Sequence, residues 1–321
     1  MGIIRDRNNK IVVAEFYPST LNNVKDPIYL DFDKGECAEL LNVDITERGI
    51  SRRQGYTQLL NNKIHSGWNS PTRNLALYIK DGVLTQFDGT TELSIKSVKD
   101  VPASYCEANE YIVFANGFEY GWIKDGLWYD VTVPNDPFKI AVPIGTLMCF
   151  YNGRLYIAKD NIIYCTDPFT IEYCDERNYV VAVFDGNINM LSCVDTGIWV
   201  GTDKEIFFLS GDDSIENGFT QISIADYGCI LGTAYTIKSE IMKEGPAGAG
   251  VLFASYRGIC VGFNDGVFKN LTQEYYTYDH GQRGCSLVRF KDGYIHFVCN
   301  TGVEENAFNQ FEPVELDIDS Y

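Results

Sequence analysis

One pattern recurs six times along this 321-residue chain and constrains the fold more than any other feature. It reads apolar, any residue, apolar, a usually small residue, two or three turn residues, then a second apolar run. The copies are LYIKDGVLTQF from Leu77, IVFANGFEYGW from Ile112, LYIAKDNIIYC from Leu155, IWVGTDKEIFF from Ile198, VLFASYRGICV from Val251 and IHFVCNTGVEE from Ile295. Their anchors lie 35, 43, 43, 53 and 44 residues apart. The first and last copies are the weakest, with Lys80 and Val298 at the usually small position.

Each copy reads as a β-hairpin. Alternation gives one face to a core, and Asp81-Gly82 and Asn116-Gly117 suit the positive φ angles of tight turns. Ala115, Ala158, Gly201 and Ala254 suit a crowded inner position. Two further strands fit each remaining stretch; for the fourth copy these are FTQISI (219–224) and TAYTIK (233–238). A four-stranded unit of roughly 40–50 residues is a propeller blade. The chain is therefore expected to be all-β, a β-propeller of six blades by anchor count, with five or seven left open. A β-sandwich of repeated hairpins is the competing architecture.

Only 26 residues follow Ile295, so an N-terminal strand, KIVVAEFY at 10–17, is expected to close the last blade. The expected organisation is an N-terminal segment or arm over 1–35, a propeller over 36–300 and an acidic tail over 301–321. Segment 239–250 reads as a loop that accounts for the long fourth interval.

Charge limits the partners. With 26 Lys+Arg against 44 Asp+Glu the net charge is −18, which repels a phosphate backbone, so sequence-specific nucleic-acid binding is not expected. No run approaches the ~18 apolar residues of a membrane span, and MGIIRDRNNKIVV carries charge where a signal peptide has its apolar stretch. The ten cysteines include no CxxC pair and sit mostly in apolar runs, so they read as reduced core residues made in a cytosol.

Chemistry is hard to find in the residues. His65, His280 and His296 read as surface or satisfied histidines, and no Ser-His-Asp arrangement can be argued at short range. Asp185, Asp195, Asp203 and Asp226 lie near strand ends, where a propeller glycosidase would hold its two carboxylates, yet 44 acids supply such candidates by chance. Phosphate-loop, dinucleotide and zinc-protease motifs are absent. The NLT at 270–272 fits a glycosylation acceptor, a pattern common by chance. No enzyme activity, cofactor or metal is expected.

Two regions exceed what a generic blade requires. In 36–60, Val43 and Ile45 alternate with polar residues, Glu47-Arg48-Gly49 can turn the chain, and Arg52-Arg53 stand out in an acidic protein. These arginines read either as intramolecular partners of carboxylates or as contacts to an acidic neighbouring subunit. The other region is the pair 198–211 and 255–276.

Together these segments resemble the propeller-type tail hub, or nozzle, proteins of short-tailed bacteriophages. The resemblance lies in Asn42-Val43-Asp44, Gly49 and Arg53-Gln54-Gly55-Tyr56, in the W-V-G-T blade from Trp199 to Gly211 with Gly201 and Thr202, and in the R-G-I-C blade from Arg257 to Thr272 with Gly258 and Asn270. It spans about residues 36–276; the two ends match nothing in the family. It implies a non-enzymatic virion protein made in the host cytoplasm, in a ring commonly of six copies below portal and adaptor proteins. The ring would contact tail fibre or spike proteins and form part of the DNA exit channel without gripping DNA. A glycan- or receptor-binding propeller module, or a propeller glycosidase, is the alternative.

Overall fold

The computed structural model describes residues 2–5, 11–14, 20–31, 34–40, 43–46, 49–52, 64–211, 218–237, 248–291 and 294–302. Arg53, Asn42 and Gly55 lie outside them. The chain forms two units: Met1–Asn61 with Asn270–Tyr278, and Asn62–Lys269 with Asp279–Tyr321.

The described strands of the first unit pair locally. β1 (Gly2–Arg5) and β2 (Ile11–Ala14) form an antiparallel pair, β3 (Thr20–Leu21) runs parallel to β4 (Glu36–Cys37), and β5 (Val43–Thr46) pairs antiparallel with β6 (Gly49–Arg52). Two expectations change here. Ile11–Ala14, the expected closing strand, has its ladder with Gly2–Arg5. Residues 36–52, expected within the propeller, pair outside its sheets, and the first blade strand begins at Ile64. Short loops bring such strands together at small entropic cost, which favours local partners over those at the far end of the chain.

The second unit is a β-propeller. Its first sheet contains β7 (Ile64–Asn69), β8 (Ala76–Lys80), β9 (Val83–Phe87) and β10 (Glu92–Ser97); its second contains β11 (Ser104–Ala108), β12 (Tyr111–Ala115), β13 (Tyr120–Lys124) and β14 (Leu127–Tyr129). After β15 (Lys139–Ala141) the third sheet contains β16 (Leu147–Tyr151), β17 (Arg154–Lys159), β18 (Ile162–Cys165) and β20 (Val180–Val183), while β19 (Tyr173–Asp175) leaves it to pair with β15. The fourth contains β21 (Ile188–Val194), β22 (Gly197–Thr202), β23 (Ile206–Gly211) and β24 (Phe219–Ala225). The fifth contains β25 (Tyr235–Ile237), β26 (Gly250–Ser255), β27 (Gly258–Gly262) and β28 (Phe268–Asn270). A sixth, of two strands among the described residues, pairs β29 (Cys285–Lys291) with β30 (Tyr294–Asn300).

The core is divided among the gaps between successive sheets. Leu77, Ile79 and Leu84 of the first meet Ile112, Phe114 and Ile123 of the second. Ala108, Val113 and Ala115 meet Met148, Leu155 and Ile157 across the next gap. Tyr156, Ile163 and Phe184 meet Leu191, Ile198 and Phe207, and Trp199 and Phe208 meet Val251, Phe253 and Cys260. Leu252 and Val261 face Val288 and Phe297 of the last. The first strands stand side by side in chain order, β7 by β11, β11 by β16, β16 by β21, β21 by β25 and β25 by β29. Inner strands of a propeller surround its axis in this way.

All six repeat anchors lie on the second strand of their sheet, one step out from the axis. In the fourth and fifth sheets that strand has a hydrogen-bonded neighbour on each side and a packed sheet on each face, so every residue of β22 and β26 is buried, whereas Ile295 on β30 is exposed. The small residues therefore answer crowding between blades rather than an innermost position. Segment 233–238, expected in the fourth blade, contains β25, the first strand of the fifth, because the chain leaves each blade at its outer strand and re-enters the next at its inner one.

The turns divide in the same way. Asp81 and Gly82 adopt φ of 50° and 73°, as their hairpin requires. At Asn116-Gly117 only the glycine has positive φ; Asn116 instead accepts hydrogen bonds from the Phe118 and Glu119 amides through Oδ1 (2.9 and 2.7 Å) in a four-residue connection. All ten cysteines are free thiols, of which Cys149, Cys165, Cys174, Cys229 and Cys260 are buried. Among the described residues no helix is long and apolar enough to cross a membrane.

Candidate functional site

The motif residues in the blades make turns and packing contacts. Thr202 ends β22 with its hydroxyl accepting from the Lys204 and Glu205 amides (3.1 and 2.9 Å), which ties the turn into β23. A Cβ on Gly201 would stand 2.3 Å from Cys229 Sγ and 3.2 Å from Met190 Cβ. Gly211 has φ of 107° and its carbonyl accepts from the Tyr151 hydroxyl (3.1 Å); Gly258, at φ 142°, opens β27. Asn270 turns its Oδ1 to the Thr272 and Gln273 amides (3.2 and 3.0 Å). Trp199 is fully buried and donates from Nε1 to the Phe263 carbonyl (2.9 Å). Gly262 lies against that ring, since its Cβ would approach Trp199 Cε2 to 2.5 Å.

In the first unit, Gly49 pairs with Thr46, and Arg52 ends β6 opposite Val43 with its side chain exposed. A second feature had no sequence signal. Glu36 is 4% exposed and accepts from the Asp31 amide, from Lys25 Nζ through both oxygens, each at 2.9 Å, and from Asn22 Nδ2 at 3.2 Å. The Asp31 amide first, then Lys25, hold its carboxyl down to about 2 from the ordinary 4.5. Asn23 binds residues 275–277 to this loop: its amide accepts from the Thr277 N–H and donates to the Thr277 carbonyl, both at 2.8 Å.

The sign of the Glu36 effect sets a pH window. A carboxyl whose folded value is depressed contributes fully above the unfolded value of 4.5, and the contribution is lost as pH falls toward 2. Amide exchange over residues 20–31 and 34–37 is expected to be slow at pH 5 and to lose protection, relative to the blades, by pH 2.5. Glu36→Gln should show the loosened state at both. Equal relative protection at both pH values would remove Glu36 as the clasp of this loop.

The four strand-end acids have different surroundings. Asp185 and Asp226 are exposed partners of Lys204 and Arg257, at 3.1 and 3.2 Å. Asp203 follows the Thr202 turn, with Oδ1 buried below Gly186. Of the four only Asp195 lines the open cleft of about 760 Å³ between the third, fourth and fifth blades, with Phe150, Tyr151, Cys193, Thr196 and Thr236. Its Oδ2 is engaged by the Ala249 amide (2.9 Å) and Asn264 Nδ2 (3.1 Å). Among the described residues no group of three or more His, Cys, Asp or Glu could hold a metal.

The histidines differ in their surroundings. His280 stacks on Tyr256, with ring centroids 4.2 Å apart, and His296 lies by Arg289 at 3.5 Å. His65 stands in a polar chain: Nε2 is 2.8 Å from Asp100 Oδ1 and Nδ1 is 2.9 Å from Ser66 Oγ, which accepts from the Ala103 amide at 2.8 Å.

Neither a family model nor a curated protein matches the chain. Solved structures similar to it include the extracellular domain of BT4673 from B. thetaiotaomicron, at 12% identity over 76% of this chain and TM-score 0.47; the chain spans only 32% of that protein. Kluyveromyces lactis Hsv2 matches at 12% identity over 74% of this chain and 85% of its own, TM-score 0.41. BBS1N, from a complex with ARL6DN, matches at 10% over 76% and 93%, TM-score 0.36. None of the three is a phage tail protein. The propeller assignment rests on the chain's own sheets and the packing between them.

Proposed function

We propose that this protein is a virion structural subunit, a propeller-type tail hub or nozzle protein that assembles with copies of itself into a ring below portal and adaptor proteins. The observation that carries the reading is what the family-like residues do. Gly201, Thr202, Gly211, Gly258 and Asn270 shape turns and blade packing, so the shared pattern specifies architecture. A ring subunit needs a rigid, repeated shape and no chemistry of its own. The charge of −18 supports a conduit, because each basic contact to phosphate would retard passing DNA.

Arg52, exposed at the end of its hairpin, and its neighbour Arg53 supply cations to meet the acidic surface of the next copy. Replacing both by Glu is expected to shift the assembled protein from ring to monomer while leaving the monomer folded. Light scattering and two-dimensional class averages of the wild-type and variant proteins test this. A wild-type protein that stays monomeric and does not co-purify with portal and adaptor would end the ring reading; a variant that assembles normally would end the arginine role. The glycan-binding alternative draws on the cleft beside Phe150 and Tyr151, and requires oligosaccharide affinity from the monomer.

A further inference from the structure

We infer that Ser66, His65 and Asp100 form a nucleophile, base and positioning carboxylate able to cleave an uncharged short-chain carboxylic ester. This activity is separate from the ring role and departs from the expectation of a non-enzymatic chain.

The local backbone brings the groups together. In a regular strand His65 and Ser66 would point to opposite faces. The β7–β8 ladder instead shifts register between His65 and Trp68, and Ser66 adopts φ of 53°, a left-handed conformation unusual for a serine. The bulge puts Ser66 Oγ 2.9 Å from His65 Nδ1. Backbone strain of this kind recurs at functional sites, where the surrounding structure maintains it.

The chemistry of each partner then sets the protons. Ionised Asp100 can only accept, so the ring proton of neutral His65 belongs on Nε2, 2.8 Å from Asp100 Oδ1. That leaves a lone pair on Nδ1, and the Ser66 hydroxyl must donate to it. The Ala103 amide donates to the same Oγ at 2.8 Å, which favours negative charge developing there. These are the roles of a serine triad with the two ring nitrogens exchanged. Beside the nucleophile, Gly67 is exposed and a Cβ built on it would meet nothing within 4 Å, so no neighbouring side chain covers it. The chain's charge of −18 disfavours anionic esters.

The reaction balances on these groups. Ser66 Oγ adds to the ester carbonyl as its proton passes to Nδ1. The carbon–oxygen bond to the alcohol breaks, and the alcohol leaves with that proton. Water then attacks the acyl-serine, giving a proton to Nδ1 that returns to Ser66 as the carboxylic acid departs.

The test uses the full-length chain and a fluorophosphonate, which forms a phosphorus–oxygen bond to an activated serine and expels fluoride. Peptide mass spectrometry should find Ser66 modified, with hydrolysis of p-nitrophenyl acetate above that of Ser66→Ala. His65→Gln should slow labelling by about 100-fold, the typical contribution of a general base. Asp100→Asn should cost a comparable factor while circular dichroism stays unchanged. Its exposed amide can donate to Nε2 and so turn the ring to the wrong tautomer. Folded wild-type protein with Ser66 unlabelled, or labelling equal in wild type and His65→Gln, would overturn the assignment and leave the three residues as a clamp on the bulge. Ring assembly is read separately and is untouched by either outcome.

Discussion

Trp199→Ala is expected to lower the stability of the propeller by about 3–5 kcal/mol, the usual cost of deleting a large aromatic from a core. Trp199 is fully buried in the gap between the fourth and fifth blades, 5.1 Å from the Phe208 ring and 6.1 Å from that of Phe268. Alanine removes those contacts and leaves the Phe263 carbonyl without the indole donor at 2.9 Å. Gly262 has no side chain to move into the space. At about 2–4 °C per kcal/mol for a domain of this size, the melting temperature should fall by roughly 10 °C. Urea denaturation followed by circular dichroism measures the change. A loss below about 1 kcal/mol would mean the ring is not the contact joining these blades.

Gly201→Val should cost about 1–3 kcal/mol through the opposite fault, too much volume in a filled gap. Its first added carbon would lie 2.3 Å from Cys229 Sγ and 2.9 Å from Cys229 Cβ, so backbone or blade must shift. Because Cys229 makes the closest contact, the pair should be strongly non-additive. Gly201→Ala combined with Cys229→Ala should lose less stability than the sum of the two single changes, with a coupling of about 1 kcal/mol or more. Strict additivity would show that the two sites do not touch, whatever the cost of the valine.

These two positions show how far the residues could be read unaided. The repeat located the second strand of each blade; in the fourth and fifth that strand is buried on both faces, so it is apolar along its length with a small residue where neighbours crowd. It did not identify the neighbour. That Gly201 is small because of Cys229, and Gly262 because of Trp199, depends on how one blade rotates onto the next. The Asp81-Gly82 turn was legible because two positive φ angles favour those residues. Asn116-Gly117 looked the same and became a longer connection, in which the asparagine Oδ1 accepts from the Phe118 and Glu119 amides.

Function was less legible than architecture. The motif residues stood out for their order along the chain, yet nothing in a single sequence separates a turn former from a site residue until its partners are known. The His65–Asp100 contact bridges 35 residues, and Ser66 joins it only because a bulge cancels strand alternation. Likewise, the link between Asn23 and Thr277 joins residues 254 apart. Period-two alternation, turn chemistry and charge are local or summed properties, so the residue order alone carries the all-β repeat, its hairpins and its acidic character. Which strand begins each blade, where the propeller starts, and which polar groups meet are long-range matters, settled when packed sheets bring distant segments within hydrogen-bond reach.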